Sequence, residues 1–200
     1  MSRFGQRNRR GFTLTELAVV LGVIGTVLAA IWVASGRVSA GNKAQRAVAQ
    51  VLSIVGNYRT LYAQHGVDDP TNFDDITCTG VNAGFFPNDM LQTGTTCVTG
   101  TTTTYPSGPW GTATQGQYVQ VEVNQTYSGV AVTYAGLTQA ACNNLADAIS
   151  TAPDAIYENI NGTNQYLSPF TTNTPYTTSQ INGDCTAGNN DFVQVMFKAR

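Results

Sequence analysis

Arg9-Arg10-Gly11-Phe12-Thr13-Leu14-Thr15-Glu16-Leu17 opens an apolar run that continues to Ala34. Arg3, Arg7, Arg9 and Arg10 precede Gly11, with no acidic residue among them. From Leu17 to Ala34 no residue is charged, and the one carboxylate between leader and run is Glu16. As an α-helix, Leu17 to Ala34 spans about 27 Å, close to a hydrocarbon core of about 30 Å. The basic leader predicts that the near end stays inside and the rest of the chain faces outward. A secretory signal has a shorter apolar region and a small-x-small cleavage site. Ala29-Ala30, Ala34-Ser35 and Ser39-Ala40 match that site imperfectly.

Bulk composition narrows the remainder. With 42% hydrophobic and 11% charged residues, the chain reads as one folded domain with an extension, solvated by Thr, Asn, Gln, Ser and Gly. The net charge of −2 hides an asymmetry, since four of the ten basic residues lie before Gly11. The chain beyond Gly11 is acidic, which argues against nucleic acid, because phosphate contacts need Lys and Arg. Cys78, Cys97, Cys142 and Cys185 show no CxxC spacing, and the single histidine, His65, lies far from them in sequence. Two disulfides in an oxidising compartment therefore fit better than a metal, and no metal or cofactor is expected.

Gly11-Phe12-Thr13-Leu14-Thr15-Glu16 ahead of a long apolar helix closely resembles the class III signal of type IV pilins and their relatives. The resemblance implies that a prepilin peptidase cuts between Gly11 and Phe12 on the cytoplasmic side. It also implies that the apolar run stays on the mature chain, that Phe12 becomes N-methylated, and that Glu16 takes the acidic position of the mature helix. The implied fold is the α+β pilin fold, a long N-terminal helix packed on an antiparallel sheet. Its parts would be a cleaved leader over 1–11, a membrane and filament-core helix over 12–36, and a globular domain over 37–200 whose amphipathic helix runs to about 64. Many pilins carry a proline in the apolar half; this chain has none there, and Gly22 and Gly25 stand where flexibility or close helix approach is available.

The chemistry of Glu16 agrees with that implication. A carboxylate at the edge of a membrane span is costly and usually functional, and Leu17 to Ala34 offers it no cation. Cleavage after Gly11 would create one, the α-amino group of Phe12, which stays largely charged near neutral pH. Pairing that amine with Glu16 of a neighbouring subunit would set the register of helix packing. The plainer reading leaves Glu16 at the headgroups beside the N-terminal helix dipole.

Val48, Val51, Leu52, Val55, Tyr58 and Tyr62 recur at helical steps, with Lys43, Gln45, Arg46, Gln50 and Arg59 largely between them. One helix is predicted from about Phe12 to Gln64, softened at Gly36 and Gly41 and stopped by His65-Gly66 and Asp68-Asp69-Pro70. Val67 to Gly116 reads as loop-rich, with a threonine tract over 99–104. Val119, Val121 and Val123 alternate with polar residues, and Val130, Val132 and Tyr134 repeat the pattern, which predicts a hairpin. Thr138 is placed to cap a helix over 139–150 with Cys142, Leu145, Ala146 and Ile149 inward. A polar stretch fills 159–190, and a last strand runs from Phe192 to Lys198.

A Cys78–Cys97 bridge would close a loop of about twenty residues, a staple of about 3 kcal/mol. Ala141-Cys142-Asn143-Asn144-Leu145 resembles the helix start at the C-terminal disulfide of type IVb pilins, which implies a Cys142–Cys185 bridge. The alternative pairing, Cys78 with Cys142 and Cys97 with Cys185, stays open at this level. Pro109-Trp110-Gly111 resembles a turn of conjugative thin-pilus subunits.

No phosphate loop, GxSxG or HExxH is present, and the acid pairs Asp68-Asp69 and Asp74-Asp75 lack EF-hand spacing, so no enzyme is expected. The resemblance implies a structural subunit, held in the bacterial inner membrane until it polymerises into a surface pilus for attachment, aggregation or conjugation. Its implied partners are copies of itself in a helical filament, the prepilin peptidase and the inner-membrane assembly machinery. Two alternatives are a type II secretion pseudopilin and a minor pilin or tip adhesin acting as a binding module.

Overall fold

Leu14 to Tyr62 contains no proline, and in a computed structural model it forms a single 49-residue helix, α1 (Leu14–Tyr62). Residues 13–62, 74–91, 95, 97–98, 101–102, 105–111, 116–124, 129–152, 154–166, 176–188 and 191–198 are described. Contacts divide the chain into two units, Met1–Ser39 and Ala40–Arg200.

In the second unit the elements after α1 are β1 (Asp74–Asp75), α2 (Thr77–Ala83), β2 (Cys97–Val98), β3 (Thr101–Thr102), β4 (Tyr118–Asn124), β5 (Gly129–Leu137), α3 (Gln139–Ile149), β6 (Ala155–Ile160), β7 (Thr163–Tyr166), α4 (Thr178–Asp184) and β8 (Asp191–Lys198). Six strands make one antiparallel sheet in the order β1-β4-β5-β8-β6-β7, and β2 pairs with β3 in a separate ribbon. The architecture is the α+β arrangement expected of a pilin fold, a long N-terminal helix against an antiparallel sheet.

Side-chain alternation places the core on one face of this sheet. Val119, Val121 and Val123 of β4, Val130, Val132 and Tyr134 of β5, and Val193, Val195 and Phe197 of β8 all join it. From α1 the core receives Ala47, Val51, Ile54, Val55 and Tyr58, and Ala44 is buried as well. The expected stripe is thus rotated. Leu52 is exposed and Val48 half-buried, while Ala44, Ala47 and Ile54 turn inward at steps of three and four. Gln50, expected between the apolar positions on the polar side, is buried. Its Nε2 donates to Asp89 Oδ2 at 2.9 Å, and its Oε1 accepts from Tyr134 Oη at 3.3 Å. That network satisfies a polar group whose burial would otherwise cost free energy. Burial pushes the Tyr134 phenol far up, with Asp89 adding to the rise.

α3 follows from its cap. The Thr138 side chain accepts a hydrogen bond from Ala141 N, and Cys142, Leu145, Ala146 and Ile149 are buried. Two segments read as loop form helices instead. α2 has no side-chain cap. It is held by burial of Thr77, Cys78 and Gly80, and the rings of Phe85 and Phe86 occupy the space a Cβ would fill at Gly80. α4 starts at a capping box between Thr177 and Gln180. A hairpin also goes unread at the start of the polar stretch, in which β6, most of it before residue 159, and β7 are joined by Asn161 and Gly162, both at positive φ. His65, Gly66, Asp68, Asp69 and the residues of the 125–128 turn lie outside the described residues.

Cys142 on α3 is joined to Cys185 at the end of α4, with Cα atoms 5.8 Å apart. Closing this 43-residue separation limits the unfolded chain by about 4 kcal/mol in the loop-entropy picture. Cys78 is also disulfide-bonded; the Cys97 side chain lies outside the described residues.

Gly136 marks a forced backbone site. The β5–β8 register breaks between Tyr134 and Leu137, Gly136 has φ of 70°, and a Cβ there would overlap the Gly116 carbonyl. Gly136→Ala is expected to cost at least about 2 kcal/mol. Thermal unfolding should register it as a midpoint lower by about 5 °C or more.

Candidate assembly helix

In the first unit the described residues form a helix whose apolar side chains are exposed. Leu14 is 88% exposed, Trp32 79% and Ile31 57%. Leu17, Val20, Leu21, Ile24, Val27 and Leu28 are about half exposed, around the full circumference. Shielding the exposed half of one such side chain from water gains about 1 kcal/mol, so this surface as a whole is suited to lipid or other helices. Among the described residues this is the one helix long and apolar enough to cross a membrane. Its hydroxyl at Thr26 is returned to its own backbone, donating to Val23 O at 2.8 Å. Internal satisfaction of this kind suits an apolar medium. A Cβ added at Gly22 or Gly25 would meet nothing within 4 Å. With Ala29 they form small-residue ground at steps of three and four, where a second helix can come close.

The helix begins with a reciprocal cap. Thr13 N and Thr13 Oγ1 both donate to Glu16 Oε2 at 3.0 Å, and Glu16 N donates to Thr13 Oγ1 at 3.3 Å. Thr13 Oγ1 also lies 3.1 Å from Thr15 Oγ1. This is the T-x-x-E capping box, which satisfies amides left without partners at a helix start. Thr13 is a hydrogen-bond partner of Glu16 that the apolar pattern does not single out, although its three-residue spacing from Glu16 is plain in the sequence. Within one chain, therefore, Glu16 already does local work through Oε2. Gly11 and Phe12, the expected cleavage and methylation positions, lie outside the described residues.

The remaining candidates have structural roles. Asp75 accepts from Thr77 N at 2.9 Å and from Tyr105 Oη at 3.3 Å, on the edge strand that pairs with β4. Next to it, burial and then Asp75 raise the Glu122 carboxyl above its ordinary range, opposed by a bond from Gln194. Trp110 follows Pro109 in a turn and stacks edge-on against Tyr134 at 6.1 Å. Arg59 Nε and Nη2 donate to Lys198 O at 3.0 and 2.8 Å, tying α1 to the last strand. Asp191 Oδ1 gathers Asn161 Nδ2 and Thr186 Oγ1 at 2.8 and 2.7 Å. Glu158 has no motif to mark it, yet it is fully buried on β6 with both oxygens unpartnered. Its signal in the sequence is a carboxylate between Ile156 and Ile160 in a strand, at apolar positions two residues apart. Among the described residues these acids and tyrosines form no catalytic constellation.

Comparison with known proteins agrees with the N-terminal geometry. Residues 6–32 match the family model described as the prokaryotic N-terminal methylation motif. No curated protein matches the chain. Among solved structures, it is similar to the crystal structure of a type IV b pilin from Salmonella typhi, at 18% identity and a TM-score of 0.48, covering 72% of this chain and 97% of that one. Residues 6–32 thus carry the N-terminal methylation motif at the head of a helix whose apolar side chains are exposed.

Proposed function

We propose that the chain is a structural subunit of a type IV pilus, of the type IVb-like kind. The observation that carries this reading is the pairing of the methylation motif over 6–32 with a helix whose apolar residues from Leu14 to Val33 are exposed on every side. In this reading residues 1–11 are a leader. Prepilin peptidase removes it after Gly11, Phe12 is methylated, and residues 12–36 pass from the inner membrane into the core of a helical filament. Residues 37–200 form its surface, for attachment, aggregation or conjugation. Lipid and neighbouring helices can both shield the same apolar surface, so one segment serves as anchor and then as polymerisation element. Cleavage removes the four arginines that favour the cytoplasmic side.

Mass spectrometry of sheared surface filaments tests the reading. An abundant mature chain beginning at N-methyl-Phe12, without free thiols, is the expected result. A scarce chain in such filaments would favour a minor or tip subunit, and a mature N-terminus downstream of Ala34 would overturn the proposal.

A further inference from the structure

The clasp around the Cys142–Cys185 bridge contains an acid with one idle oxygen. Asp191 Oδ1 accepts from Asn161 Nδ2 at 2.8 Å, Thr186 N at 3.2 Å and Thr186 Oγ1 at 2.7 Å. Asn161 is itself fixed, since its Nδ2 also donates to Asp184 O at 2.7 Å and its Oδ1 accepts from Phe192 N at 2.8 Å. Asp191 Oδ2 is buried without a hydrogen-bond partner. One carboxylate oxygen of Asp191 and the two sulfurs lie within 4.8 Å of one another, and all three residues are buried.

We propose that in the dithiol state, before the bridge closes, Cys142, Cys185 and Asp191 form a binding site for a borderline divalent cation of the zinc class. Two thiolates and one carboxylate are a donor set that suits zinc, whereas calcium and magnesium take oxygen donors alone. The hydrogen bonds on Oδ1 orient the carboxylate as outer partners orient a metal ligand. A cation would also give the idle oxygen a charge partner. A zinc-class site would require the opened side chains to bring the sulfurs to about 2.3 Å and the carboxylate to about 2.1 Å from one ion, with a fourth position for water. Binding turns two thiols into thiolates and releases two protons; no electron moves. Closing the bridge afterwards requires a disulfide-bearing oxidant, which takes two electrons from the sulfurs as the S–S bond forms and the ion leaves. The ion would hold the segment around Cys185 against α3 until that exchange.

The test uses the full chain in detergent micelles, reduced and kept free of oxygen, with Co2+ as the spectroscopic probe. The expected result is a thiolate-to-cobalt charge-transfer band that saturates with one ion per chain at this site and is displaced by Zn2+. Asp191→Asn keeps a carbonyl oxygen for Asn161 and Thr186 but removes the charge, and should weaken cobalt binding at least about tenfold. The same variant in its oxidised form should unfold near the parent's midpoint. Cys185→Ser, which serves also if Asp191→Asn folds poorly, should abolish this band. An absent band, undiminished affinity in Asp191→Asn, or a band undiminished by Cys185→Ser would overturn the proposal. So would a reduced chain that neither keeps its native circular dichroism nor regains it with Co2+.

Discussion

Glu158→Gln is expected to leave stability nearly unchanged in mild acid and to raise it strongly in alkali. Glu158 is 0% exposed, and both its oxygens lack hydrogen-bond partners. Burial, with Asp147 on α3 as a second cause, pushes its carboxyl from 4.5 up to about 8. The folded chain therefore holds Glu158 neutral at neutral pH, while the unfolded chain ionises it in the ordinary carboxylate range. Its protonated form costs the fold little below the unfolded value. The contribution of Glu158 to stability then falls as pH rises from there, and the neutral form's advantage is gone once pH passes the folded value near 8. A rise of this size corresponds to about 5 kcal/mol. Glutamine has the same shape and no titration. At about pH 9 it should unfold at a midpoint higher by about 10 °C or more, and at about pH 4 the two midpoints should nearly coincide. Thermal unfolding across pH measures this directly. A difference independent of pH would mean that the carboxyl is not held neutral.

Glu158 also shows where a sequence stops being legible. Elements with a strong period were readable. The β4–β5 hairpin announced itself through alternating valines, and its register pairs Val121 with Val132 as alternation requires. α3 was legible because Thr138 stands one residue before a run whose inward positions recur at three and four. The start of α1 was legible because a charge-free run leaves few other solutions. α2 was not, because Thr77–Ala83 has poor helix formers and no capping side chain; tertiary packing of Phe85 and Phe86 over Gly80 holds it. β7 was masked by polar composition and β6 by Glu158 at an inward position, although Asn161-Gly162 is the dipeptide that favours a tight hairpin turn. Thr177 and Gln180 likewise spelled a capping box before α4. Gln50 failed for a different reason. Its burial depends on Tyr134 and Asp89, residues 84 and 39 positions away, and no local pattern reports such a partner.

At the other end of the chain, Glu16→Gln separates two jobs that Glu16→Val removes together. In the single chain, Oε2 accepts from Thr13 N and Thr13 Oγ1. Glutamine offers a carbonyl oxygen in the same place, so the helix start should persist. Valine cannot accept, so it removes the bonds from Thr13 N and Thr13 Oγ1 and weakens the helix start. Neither change touches Gly11 or Phe12, and processing should continue in both variants. The two readings diverge at polymerisation. If Glu16 serves only to cap its helix, Glu16→Gln should yield fibres like the parent and Glu16→Val somewhat fewer. If a carboxylate must meet the Phe12 amine of a neighbour, both variants should lose sheared fibres by at least about tenfold, because a neutral amide leaves an amine unpaired among apolar helices. The second outcome is expected. In such a pair the carboxylate would leave Thr13 of its own chain for the Phe12 amine of a neighbour. Thr13→Val then sharpens the comparison. It removes one donor to Glu16, weakening the intrachain hold without altering the charge, and should leave assembly near the parent level. Fibre yield from cells carrying Glu16→Gln, Glu16→Val and Thr13→Val, normalised to mature subunit in the membrane, distinguishes the cap from the pair.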